Sequence, residues 1–211
     1  MVFFIYMSYN YRDNYKEWSG KMLILVGPSA TGKSAIVKCL QNTFKMEKFV
    51  TCTTRSPRVG EIDGVDYHFM TRDEFLNHLA EGDFIESVCY NNNFYGTLKS
   101  EVSDNKVVIL EPDGVRNFYA QLSDLYSIFL NTSENVRIER MRMRGDSEES
   151  ISMRVTSDRI IFDLDLLPEI DYVLDTSILS CEELAKIVYE KYKNALNNSI
   201  KLKGDLSRLK C

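Results

Sequence analysis

VGPSATGKSAIV, residues 26–37, sets Gly27 and Gly32 on either side of Pro-Ser-Ala-Thr and follows the second glycine with Lys33 and Ser34. This is the spacing of a phosphate-binding loop. Glycine lets the backbone turn so that successive N–H groups converge on one point, and a following helix adds the positive end of its dipole there. Lys33 then supplies a full charge toward the β- and γ-phosphates, and the Ser34 hydroxyl is placed for Mg²⁺. Such a loop requires a strand before it and a helix after it. MLILV (22–26) reads as the strand, and Ser34 to Phe44 has helical periodicity.

Outward from this loop the chain alternates strand-like and helix-like stretches. KFVTC (48–52), KVVIL (106–110), YSIFL (126–130) and DYVLD (171–175) are short apolar runs bounded by polar residues. Their continuous apolar character predicts strands buried on both faces of a parallel sheet. Helices are predicted over 133–144 and over 181–195, where Leu184, Ile187, Val188 and Tyr192 form one stripe. Thr71-Arg-Asp-Glu74 before Phe75 reads as a capping box opening a short helix. The order predicts an open α/β sandwich with one long excursion, residues 53–105, between the second and third core strands. Excursions of that length usually carry function.

Composition limits the alternatives. The chain has 211 residues, 44% hydrophobic and 27% charged, which predicts one sizeable α/β core. A net charge of -5 argues against a nucleic-acid-binding protein, so any basic site is local. Cys39, Cys52, Cys89, Cys181 and Cys211 are odd in number and widely spaced, and His68 and His78 are the only histidines. That pattern predicts neither a disulfide framework nor a zinc site, and it suits a reducing cytoplasm. The start, MVFFIYM, is too short to span a bilayer and lacks the basic flank of an export signal. Residues 1–21 therefore read as an extension ahead of the first strand.

The excursion narrows the chemistry. VTCTTRSPRVGEIDGVDYHF (50–69) and GDFIESVCYNNNFYGT (82–97) resemble the guanylate kinase family, nucleoside monophosphate kinases that move a phosphoryl group from ATP to GMP. The TTR-x-PR-x-GE-x-x-G-x-DY-x-F pattern is far more specific than a lone phosphate loop. The resemblance, over roughly residues 22–190, implies a P-loop three-layer α/β/α sandwich with a parallel core sheet, an inserted monophosphate-binding lobe and a helical lid. It divides the chain into the extension 1–21, a kinase domain 22–195 and a tail 196–211. Within the domain the core is 22–52 and 106–195, the lobe 53–105 and the lid about 139–158.

The resemblance also implies roles. ATP and Mg²⁺ are the expected cofactors and GMP or dGMP the acceptor. Gly27, Ser29, Ala30, Thr31, Gly32, Lys33 and Ser34 would hold the donor phosphates. Arg55 and Arg58, with Tyr67 and Tyr95, match the family residues that clamp the acceptor's phosphate, and arginine suits that task because its fork binds two oxygens. Glu86 matches a carboxylate that accepts from guanine N1–H and the 2-amino group, with Thr51 and Thr97 beside the base. Asp113 matches an aspartate near the acceptor and the Mg²⁺ water shell. Residues 136–159 hold six arginines, of which Arg140, Arg144 and Arg154 match lid residues that reach the transferring group. Arg137, Arg142 and Arg159 read instead as solvated helix arginines paired with acidic neighbours.

The acceptor phosphate is itself the nucleophile, ionised near neutral pH because its second pKa is about 6. No general base is needed. The obstacle is repulsion between polyanions, which arginine and metal relieve, and the sequence is rich in arginine where this chemistry needs it. Some positions depart from the family pattern. Ala30 stands for a usual glycine, Thr51 for serine and Asn92 for glycine. Glu111-Pro-Asp113-Gly114 and Leu174-Asp-Thr-Ser177 replace the usual motifs after the third and last strands. Two other functions stay open on sequence: a kinase of another mononucleotide or small phosphate, and a non-catalytic guanylate-kinase-like binding module.

Overall fold

The computed structural model describes residues 22–208 apart from 58–59, 91–92, 104, 123 and 164–169, and the side chains of Tyr90 and of residues beyond 197 stand outside that description. Arg58, Asn92 and the 1–21 extension lie outside the described residues. In chain order the elements are β1 (Met22–Val26), α1 (Lys33–Phe44), β2 (Glu47–Lys48), β3 (Cys52–Thr53), β4 (His68–Phe69), α2 (Arg72–Glu81), β5 (Phe84–Tyr90) and β6 (Asn93–Leu98). After a 3₁₀ turn at Lys99–Glu101 come β7 (Lys106–Ile109), α3 (Pro112–Gln121), β8 (Leu125–Asn131), α4 (Glu134–Met143), α5 (Glu148–Ile161), β9 (Tyr172–Asp175) and α6 (Cys181–Arg208).

The core sheet runs β2-β7-β1-β8-β9 and every pairing in it is parallel. β1 is central and wholly buried, and its alternating side chains feed two layers. Leu23 and Leu25 face Ile36, Leu40, Leu184, Val188 and Tyr192 of α1 and α6. Met22, Ile24 and Val26 pack with Val115 and Phe118 of α3 and with Phe49 and Phe162. Both faces of the sheet are thus covered, which is why these strands read as unbroken apolar runs. The fold is the three-layer P-loop sandwich expected from the sequence. No helix among the described residues is long and apolar enough to cross a membrane.

The lobe carries its own sheet, ordered β4-β3-β6-β5, with β3 antiparallel to β6 and β6 to β5. Phe75 of α2 stacks on Phe84 and Phe94, so one face of this sheet is closed by an aromatic cluster. The capping box predicted at Thr71 is present. Its hydroxyl accepts from the Glu74 N–H at 3.2 Å, and the Glu74 carboxylate accepts from the Thr71 N–H at 2.7 Å.

Two element expectations are corrected. KFVTC is not one strand: Glu47 and Lys48 pair with β7, Phe49 and Val50 turn away buried, and Cys52–Thr53 pairs in the lobe sheet. An apolar run shows burial but not which of two sheets buries it. The last helix continues to Arg208 and does not stop at 195, because no glycine or proline interrupts the chain between Cys181 and Gly204.

Candidate active site

The phosphate loop, Glu111, Thr132 and Thr176 all follow carboxyl ends of core strands, the end of a parallel sheet where ligands bind. A Cβ on Gly27 would lie 2.5 Å from the Leu130 carbonyl oxygen, so the loop passes β8 at a distance only glycine allows. Gly32, at φ 97°, begins α1 with no side-chain cap, leaving first-turn N–H groups for an anion. Ala30 takes φ 63°, a conformation that glycine adopts more readily. Its methyl group packs on Met141, Ile151 and Val155 of the α4–α5 pair, an apolar contact a glycine would forgo. The Thr31 hydroxyl donates to the Pro28 carbonyl at 3.0 Å and closes the loop from within.

Lys33 folds over this cradle, its Nζ donating to the carbonyls of Gly27 and Pro28, the latter at 2.8 Å. Burial pulls its pKa down from the usual lysine value, while the nearby carboxylates of Glu111 and Asp158 oppose that shift. Loss of hydration raises the Glu111 pKa, against the pull of Lys33. Ser34 is exposed on the first turn of α1. A cationic cradle, an exposed hydroxyl and one carboxylate coupled to the lysine form a donor set that fits a Mg²⁺-bound triphosphate.

Helices α4 and α5 grip the loop from outside. Arg140 donates to the carbonyls of Ala30 at 3.3 Å and Thr176 at 2.6 Å, and the Thr176 hydroxyl donates to the Thr31 carbonyl at 2.9 Å. Arg137 is not a solvated helix arginine. Its side chain is 5% exposed and pairs with buried Asp158 at 2.6 Å, because the two helices converge on the loop at that point. Arg142 and Arg159 do pair on the surface, with Glu139 and Glu148 and with Glu134. Arg144 is exposed and bonded to Asp146, whose pKa is held down first by Arg144 and also by Arg154. Arg154 reaches the Ser150 hydroxyl at 3.4 Å. Arg144 caps the C-terminal end of α4 and Arg154 lies midway along α5, both exposed, whereas Arg137 and Arg140 make the loop grip.

On the lobe, Arg55, Tyr67 and Tyr95 meet. The Arg55 guanidinium lies 5.4 Å from the Tyr67 ring centroid, and Tyr67 and Tyr95 are edge to face at 6.2 Å. Glu61 binds Arg55 through both oxygens, at 2.8 and 2.9 Å, and is the main reason its pKa is raised. Buried Thr53 accepts from the Arg55 N–H at 3.1 Å and fixes its backbone. Glu86 and Thr97 are register partners on β5 and β6, and the Thr97 hydroxyl donates to the Glu86 carboxylate at 2.6 Å. Tyr95 and Thr97 alternate on β6, so clamp and carboxylate share one face of the lobe sheet. Burial lifts the Glu86 pKa above the usual carboxylate range, and the Thr97 hydrogen bond only partly opposes this. Thr51 is half-buried just ahead of β3, its carbonyl accepting from the His68 N–H at 2.9 Å.

Asp113 lies 55% exposed in an ion pair with Arg116, whereas Glu111, like Asp158, is a carboxylate whose field reaches Lys33. Sequence reading passed over Glu111, Glu61, Asp158 and Thr176. Glu61 stood inside the quoted motif, but Asp158 and Thr176 act across distances that no spacing rule reports.

The guanylate kinase family model matches residues 19–191. The guanylate kinase of Synechococcus sp. (strain JA-3-3Ab) is 38% identical over 181 residues, covering 81% of this chain and 82% of its own. That of Wolinella succinogenes is 34% identical over 192 residues, covering 86% and 87%. The crystal structure of guanylate kinase from Anaplasma phagocytophilum aligns with a TM-score of 0.60 at 27% identity, over 83% of this chain and 85% of that one. The fold and the loop define a P-loop kinase of the nucleoside monophosphate class. Within that class, this chain belongs to the guanylate kinase family.

Proposed function

We propose that the protein transfers the γ-phosphoryl group of ATP to GMP or dGMP, giving ADP and the nucleoside diphosphate, in a reducing cytoplasm. The observation that carries this reading is the half-buried Glu86 carboxylate, hydrogen-bonded at 2.6 Å to Thr97 on the same sheet face as the Arg55 cluster. A carboxylate so placed accepts two donors from guanine, and adenine offers a lone pair there instead. Arg55 and Arg58, with Tyr67 and Tyr95, hold the acceptor phosphate. Glu61 presets the Arg55 fork, which lowers the ordering cost of binding. Thr51 stands at the edge of the base site.

Lys33 and the loop amides neutralise the donor phosphates, and Arg140, fixed between Ala30 and Thr176, stands at the flank of the loop. Arg144 and Arg154, exposed on the helical lid, supply charge to the transferring group as the lid closes. Ser34 and Glu111 are the residues that would hold Mg²⁺, with Asp113 outside that set because Arg116 engages it. The bound ion shields charge on the β- and γ-oxygens. No residue need remove a proton from the acceptor.

A coupled assay of ADP release over GMP, dGMP, AMP, CMP and UMP tests the reading. GMP and dGMP should turn over, and AMP should be poorer by a factor on the order of 10⁴, as for sites that hydrogen-bond a base edge. Equal use of AMP would remove the guanine assignment. Binding of GMP without any ADP release would assign the protein to the non-catalytic modules.

A further inference from the structure

Asp158, on the last full turn of α5, reaches the phosphate loop from outside. Its Oδ2 accepts from the Ser29 N–H at 2.9 Å and its Oδ1 from the Ser29 hydroxyl at 3.3 Å. Arg137 of α4 donates to the same carboxylate at 2.6 Å and to the Ser29 carbonyl at 3.3 Å. The pair is almost dry, with side chains 5% and 8% exposed. Every polar group of Ser29 is therefore held by two lid helices.

This arrangement is costly. Two charges have left water, and the Arg137 Nε is buried with no hydrogen-bond partner among the described residues. Buried ion pairs are weak devices for stability, since apolar residues of similar volume often do as well. The pair also puts a carboxylate beside a loop built for anions. Its field is felt at Lys33, and the field of Arg137 acts there with opposite sign. Without its arginine, Asp158 would be an uncompensated anion in a low-dielectric site next to the triphosphate.

We propose that Arg137 is a charge-compensating neighbour of the donor site, which cancels the charge of Asp158 so that lid helices can dock on the phosphate loop without repelling ATP. The inference rests on the reading of this loop as the ATP site. It makes the consequence of breaking the pair depend on which partner is lost. Arg137→Met strands a negative charge, and Asp158→Ala strands a positive one. A merely structural pair has no such asymmetry.

The test uses the full chain, with the dissociation constant for ATP in Mg²⁺ measured by titration calorimetry and thermal unfolding followed separately. Both single variants should lower Tm. Arg137→Met should weaken ATP binding by about tenfold or more, whereas Asp158→Ala, Arg137→Lys and the double variant Arg137→Met/Asp158→Ala should stay within about threefold of wild type. Affinity for GMP should not change in any of them. If Arg137→Met does not fold, a loss of about tenfold in Asp158→Ala or in the double variant still overturns the proposal. So do equal ATP losses in the two single variants, no loss in Arg137→Met, or a double variant that fails to recover. A wild-type protein that binds ATP but makes no ADP with GMP fails the proposed function and leaves this inference standing. Wild-type turnover without the asymmetry fails this inference alone.

Discussion

Glu86, proposed to read the base, is also a group whose burial ties stability to pH. Burial raises its pKa above the ordinary 4.5, so the ionised form is the less favourable one in the folded lobe. Below the unfolded pKa both states are protonated and the residue is neutral to folding. As pH rises from the unfolded pKa through the folded one, the unfolded chain ionises freely while the native carboxyl must do so partly dry, and stability is lost. Ionisation is nevertheless what the proposed reading of guanine by Glu86 requires. Glu86→Gln should therefore melt with wild type at acidic pH and above it near neutrality, with the gap opening upward from about pH 4.5. The same variant should lower kcat/KM for GMP and abolish the part of its acid limb that belongs to Glu86. Melting curves and initial rates across pH measure both, and a constant Tm difference at all pH values would show that Glu86 carries no burial cost.

At the scale of elements, the acceptor face of the lobe depends on what lies behind it. Gly96 of β6 sits between Tyr95 and Thr97 and points to the opposite side, where a Cβ would lie 2.9 Å from the rings of both Phe75 and Phe84. Phe75 is fully buried and stacked on two sides, so it has little room to retreat. Gly96→Ala should cost about 1–3 kcal/mol, the usual range for overpacking. It should also raise KM for GMP more than for ATP, because the strand it displaces carries Tyr95 and Thr97. Denaturant melts and the two KM values check this, and equal changes in both would place the damage in the core. β1, its loop and α1 were legible in sequence because one local pattern carries them. β5 and β6 were not read as strands, since Glu86, Ser87, Asn93 and Thr97 interrupt the apolar signal where the lobe needs polar groups. α3 was missed because its Pro112 and Gly114 read as loop residues, although proline at the first helical position is favourable. α5 carries Asp158, but an arginine and an aspartate on separate helices leave no mark until the helices pack. The phosphate loop, the Arg55 cluster and the Glu86–Thr97 pair were legible because each lies within one motif. The carboxylate beside Lys33 was not, since Glu111 and Asp113 look alike until α3 turns one toward the loop and the other toward Arg116.

At the scale of the whole molecule, activity depends on a five-stranded sheet whose centre is β1. Met22, the first residue of that strand, is fully buried, and its N–H donates to the Asp124 carbonyl at 3.0 Å. Every residue assigned a role in phosphoryl transfer follows it, from Gly27 to Thr176. A chain beginning at Met22 should therefore retain wild-type kcat and both KM values, with Tm lowered by no more than about 2–4 °C, the shift expected for 1 kcal/mol in a protein of this size. A chain beginning at Gly27 lacks β1, which separates β7 from β8 and supplies both buried layers of the core. It should not fold. Circular dichroism and the coupled ADP assay on the two truncations distinguish these outcomes. Loss of activity in a folded chain beginning at Met22 would mean that the first 21 residues take part in substrate binding, and the boundary of the catalytic unit would have to move ahead of the central strand.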